Sequence, residues 1–84
     1  MIDSVRRVKL IWHCRRGMLE LDLIFQRFIA NYLDQLSDSE VVDFESLLTH
    51  PDPDLLSWFM GSEYPQNKEL EHIIELIQLH SGVH

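Results

Sequence analysis

A guanidinium, a glycine and a carboxylate fall within five residues at Arg16, Gly17 and Glu20, with Arg15 just before them and Met18, Leu19 and Asp22 interleaved or following. Arginine offers a planar donor fork that fits a carboxylate or backbone carbonyls, and glutamate accepts hydrogen bonds, so the set suits recognition of another protein surface. The other chemistry-bearing side chains do not converge. His13 adjoins Cys14, yet neighbours on a helix point about 100° apart and make no nucleophile–base pair. His50, His72, His80 and His84 lack an HExxH or other metal-ligand spacing, and no glycine-rich phosphate loop follows a strand. An independent enzyme is therefore the weakest class, and neither a catalytic residue nor a stably bound metal or cofactor is expected.

The elements that must position these residues are helices. Proline and glycine occur only at Gly17, Pro51, Pro53, Gly61, Pro65 and Gly82, and the segments between them show helical spacing with no sustained alternation. The fold expected is all-α, a compact bundle of about five short helices forming one domain over residues 1–84. A first helix capped by Asp3 or Ser4 carries Val5, Val8, Ile11 and Trp12 on one stripe, expected inward, and Arg6, Lys9, His13 and Arg16 on another, expected outward. Gly17, whose missing Cβ makes unusual backbone angles cheap, then breaks the chain into a second helix from about Met18 to Leu36, with Leu21, Phe25, Phe28 and Tyr32 inward. Ser37 and Glu40 form a capping box that starts a third helix, running to about Leu48 and burying Val41, Phe44, Leu47 and Leu48. Asp52 as N-cap and Pro53 at the first helical position start a short fourth helix with Leu55, Leu56, Trp58 and Phe59, closed by Gly61. Asn67 caps a fifth, with Leu70, Ile73, Ile74 and Ile77 inward and an end near Gly82.

Projected on these helices, Arg16 and Glu20 both face water, where an exposed ion pair adds only about 0–1 kcal/mol, so replacing either is expected to leave folding nearly intact. Asp22 falls toward the apolar side of its helix and is expected to be half-buried, paired with Arg15 or with N–H groups near the helix start. Met18 and Leu19 read equally well as core plugs or as apolar contacts of an interface. Trp12 and Trp58 are expected in the core.

Composition narrows the classes further. Eighty-four residues, 45% of them hydrophobic, make one small domain whose total stability is about 4–13 kcal/mol, leaving little room for a deep reactive pocket. The single cysteine allows no internal disulfide, which fits a reducing cytoplasm, and no apolar run approaches the ~18 residues of a membrane span. The net charge of −7 is uneven: residues 1–16 hold five of the seven basic groups against Asp3 alone, while the remainder carries thirteen acids against Arg27 and Lys68. A basic end on an acidic body points to an acidic partner surface and away from nucleic acid.

Arg16-Gly17-x-x-Glu20, taken with Trp12 before it and Asp52-Pro53-Asp54-Leu55…Trp58 after it, resembles the small succinate dehydrogenase assembly factors that promote flavin attachment, over nearly the whole chain. Mitochondrial members are expected to carry a transit extension, so the likeness is to the bacterial form. It implies a chaperone-like factor, monomeric when free, that binds the flavoprotein subunit of succinate dehydrogenase or fumarate reductase and promotes covalent attachment of FAD to a histidine of that partner. FAD then belongs to the partner. The implied contact surface is Arg16, Gly17 and Glu20, with Met18 and Leu19 between them and Lys9 and His13 on the preceding stripe. Two alternatives stand beside this. The basic first helix could dock on another acidic protein or on an anionic membrane surface, a reading that fails if Val5, Val8, Ile11 and Trp12 pack inside; and an antitoxin-like role is attached to some members of the family.

Overall fold

The computed structural model describes residues 3–82. Five helices follow one another: α1 (Ser4–His13), α2 (Leu19–Tyr32), α3 (Asp38–Leu47), α4 (Asp52–Phe59) and α5 (Lys68–Ser81), with a 3₁₀ turn at Leu33–Gln35 and no strand among the described residues. Local chemistry explains most boundaries. The Asp3 carboxylate accepts the Arg6 N–H at the start of α1, and Asn67 accepts the Glu69 N–H at the start of α5. Ser37 and Glu40 satisfy each other's backbone N–H groups in the expected capping box. Gly61 ends α4 and Gly82 ends α5, each with a left-handed φ that glycine adopts without steric cost.

Two boundaries differ from expectation. The second helix does not run unbroken to Leu36; its last turn tightens into the 3₁₀ segment before Ser37. On α4 the N-cap is Pro51, Asp52 is already helical, and Pro53 sits one position further into the first turn, where its missing N–H is still harmless.

The core is built where α2 lies along α5, with α3 packed on α5 and α4 touching both α2 and α5. Phe25, Phe28, Phe44 and Phe59 are fully buried at its centre, with Phe25 edge-on to Phe59 at 5.6 Å and Phe28 edge-on to Phe44 at 5.4 Å. Leu21, Leu33, Val41, Leu47, Leu55, Leu70, Ile73 and Ile77 complete it. Trp58 is half-buried against this core. The described residues measure 33 × 26 × 21 Å, about two helix diameters in the thin direction.

The first helix is turned over relative to the expected orientation. Val5 and Val8 are each 65% exposed and Trp12 67%, while Leu10 and Cys14 on the opposite side are buried and Ile11 is intermediate. Both stripes satisfy helical periodicity; the side that packs carries Leu10 and Cys14, and two long-range ion pairs accompany that orientation. Arg6 donates through Nε to Glu45 at 2.8 Å and Arg7 through Nε to Asp34 at 2.7 Å, so the side bearing these arginines lies toward the body. Of the basic stripe, Arg6 is thereby paired within the molecule, whereas Lys9 and His13 stay exposed as expected.

The carboxyls of Glu45 and Asp34 are held below the ordinary carboxylate range by the hydrogen bonds from Arg6 and Arg7, and that of Glu40 by the Ser37 backbone N–H and then His72. A lowered folded-state pKa contributes stability that is complete above the unfolded value and fades as pH falls through the folded one. Thermal melts followed by circular dichroism should thus give a flat Tm from pH 7 to about 5 and a decline below about 4.5, with a shallower decline in Glu45→Gln. A Tm unchanged down to about pH 3 would contradict these linkages.

Candidate functional site

The corner between α1 and α2 holds the residues singled out by type and spacing, and it divides them into two sets. Arg16 does not project outward. Its side chain is only 16% exposed, and Nε donates to Asp52 Oδ1 at 2.7 Å. Nη1 donates to the carbonyls of His13 at 3.1 Å and Leu48 at 3.0 Å, and Nη2 to that of His50 at 2.9 Å. His13 is the last residue of α1, Leu48 caps α3, and Asp52 opens α4. One cation therefore serves the carbonyl-bearing, partly negative ends of two helices and a carboxylate at the start of a third. The backbone N–H of Arg16 is held as well, donating to Asp22 Oδ1 at 2.8 Å. Asp22 is half-buried as expected and takes the N–H partner, whereas Arg15 lies over the Trp12 ring at 5.6 Å.

The expectation that Arg16 faces water is thus corrected, and with it goes the ground for expecting Arg16 to be dispensable for folding. The residues that hold it, Asp52 and the 48–50 carbonyls, lie more than thirty positions away, and no spacing within the first helix signals them. Asp52-Pro53-Asp54 was legible as a motif, but as a helix start. His50 is braced in turn by its ring, which meets Trp58 edge-on at 5.0 Å.

Beside this clamp the rest of the corner is open. Gly17 is exposed, its φ is not left-handed, and a Cβ built on it meets nothing within 4 Å. Nothing inside the described molecule requires a glycine there, contrary to the expectation of unusual backbone angles at this break. Met18 is the N-cap of α2 and packs against the core, while Leu19 points outward at 67% exposure. Glu20 is exposed in the first turn of α2, where a negative charge is favoured by the helix dipole, and it does not pair with Arg16. Lys9 and His13 are exposed along α1 and line a shallow groove of about 200 Å³ over Leu10 and Leu48, with Glu45 and Thr49 opposite.

The arrangement presents groups for contact and offers little for bond-breaking. The thiol of Cys14 is pushed up to about 12 by burial, so it stays protonated and unreactive at neutral pH. Among the described residues no three His, Cys, Asp or Glu side chains are grouped to hold a metal, and no helix is long and apolar enough to cross a membrane.

Removing the guanidinium strands three carbonyls and a half-buried carboxylate at once. Arg16→Ala should cost about 2–4 kcal/mol, and Arg16→Lys most of that, because a lysine lacks the planar fork. Gly17→Ala and Glu20→Ala should stay within about 0.5 kcal/mol of the parent. Urea unfolding of the four variants checks this; an Arg16→Ala midpoint equal to that of Gly17→Ala would show that the clamp contributes nothing.

Residues 8–81 match the family model described as flavinator of succinate dehydrogenase. Curated relatives are similar along almost their full length. The FAD assembly factor SdhE of Legionella pneumophila (strain Lens) is 49% identical over 77 residues, covering 92% of this chain and 96% of the relative. That of Photobacterium profundum is 46% identical over 82 residues, 98% and 93% of the two chains, and that of Coxiella burnetii 43% over 78 residues, 93% and 95%.

Proposed function

The chain belongs to the family of succinate dehydrogenase flavinators, and from that premise we propose that it is an assembly factor that binds the flavoprotein subunit of succinate dehydrogenase and promotes covalent attachment of FAD to it. The observation that carries the site is Gly17. An outward glycine with ordinary backbone angles and empty space at its Cβ position has no task within its own fold, and a bare backbone lets another chain approach closely. Glu20, a carboxylate with no partner among the described residues, supplies an acceptor beside it, and Leu19 an apolar contact. Met18 sets the entry to α2, and Lys9 and His13 extend the surface along α1.

In this reading Arg16 contributes from inside, by holding the helix ends that shape the corner, while the client meets Gly17, Leu19 and Glu20. The flavin and the histidine it joins belong to the client, and the chemistry is the cofactor's own once the two are aligned. The factor acts by binding best to the client conformation in which they are aligned. Its influence equals its differential affinity for that state, and release follows once attachment and closure remove the preference. No catalytic residue and no resident cofactor is needed in this chain, which works as a monomer in the cytoplasm; the homologous subunit of fumarate reductase is a second client of the same chemistry.

Deleting the gene should abolish the ultraviolet fluorescence of the flavoprotein band after denaturing electrophoresis, and the parent gene should restore it. Gly17→Arg and Glu20→Ala should remain folded yet restore less than about a tenth of the signal. Full restoration by both variants would remove the corner from the interface.

A further inference from the structure

The outward face of α1 is the part of the surface that the corner does not account for. Val5, Val8 and Trp12 lie at helical spacing on one side, each about two-thirds exposed, and Arg15 continues the line with its guanidinium over the Trp12 ring. An indole flanked by two valines on an outward face, with a cation laid on it, has the composition of an interface anchor. Charge indicates what covers it. Arg6, Arg7 and Arg16 are paired to Glu45, Asp34 and Asp52, whereas Lys9 and Arg15 have no carboxylate partner among the described residues and flank the apolar line on either side.

We propose that this face is a second contact surface for the flavoprotein client, receiving an apolar patch rimmed by carboxylates. The inference rests on the proposed function and extends it to residues outside the Gly17 corner. Position supports a shared occupant: the line ends at Arg15, next to that corner, and on the far side Leu19 and Leu23 are again outward. A second copy of the chain fits less well, because a symmetric pairing of two such faces brings the cations Lys9 and Arg15 of one copy toward the same two cations of the other, with no carboxylate between them. An anionic bilayer fits less well too, because the acidic remainder of the molecule is repelled by the lipids that would attract two cations.

Isothermal titration of the purified succinate dehydrogenase flavoprotein subunit with the parent factor, Trp12→Ser, Val8→Ser and Arg15→Glu tests this. The parent should bind; Trp12→Ser and Arg15→Glu should each weaken binding by about tenfold or more. All three variants should melt within about 2 °C of the parent, since the replaced groups face water. Parent-like affinity in both Trp12→Ser and Arg15→Glu, beside a parent that binds, overturns this inference and leaves the proposed function intact. A parent that does not bind overturns both. Two companion measurements assign the face elsewhere if positive: Trp12-dependent sedimentation with phosphatidylcholine–phosphatidylserine vesicles gives it to lipid, and a concentration-dependent dimer lost in Trp12→Ser gives it to a second copy.

Discussion

The Arg16 guanidinium is the constraint on which the functional end of the molecule depends. Helices leave their last carbonyls without intrahelical partners and carry partial negative charge there, so two helix C-termini cannot be brought beside a carboxylate without a cation between them. Arg16 is that cation. It bonds the end of α1 through His13, the end of α3 through Leu48 and His50, and the start of α4 through Asp52. Burying this charge is tolerable because four of its five N–H donors find acceptors, one of them a carboxylate, which is the condition under which a partly buried ion pair holds.

The clamp gives the adjoining residues their character. With the arginine drawn inward and its own N–H fixed by Asp22, the chain leaves the corner with Gly17, Leu19 and Glu20 directed to water. A surface presented on a rigid corner loses little entropy on binding, and in the proposed function this lets a domain of this size select one conformation of a larger client. The same logic extends along α1. The ion pairs of Arg6 and Arg7 bind its inner face to the body and leave an apolar outer face that the fold itself does not use.

Much of this architecture was legible in the chain because its signals are local. Ser37 and Glu40, Asn67, and Gly61 and Gly82 each mark a helix end within one turn, and the inward faces of α2, α3 and α5 follow from periodicity alone. Two features were illegible for a common reason. The first helix carries two candidate stripes, and the side that packs is the one whose arginines meet Glu45 and Asp34, tens of residues away, which no spacing within the helix signals. Arg16 sits among exposed-type residues, and only the three-dimensional closeness of Asp52 and the 48–50 turn makes it internal. The resemblance singled out the corner proposed here as the docking site, but that its arginine is held inside while its glycine faces out emerges only from the packing.

Backbone amide hydrogen exchange of the factor, measured free and bound to the flavoprotein subunit, tests the central claim most directly. Binding should slow exchange in the segment 15–23 and leave the C-terminal half of α5 unchanged. Slowing confined to the α4–α5 loop or to α5, with 15–23 exchanging as in the free protein, would contradict the account.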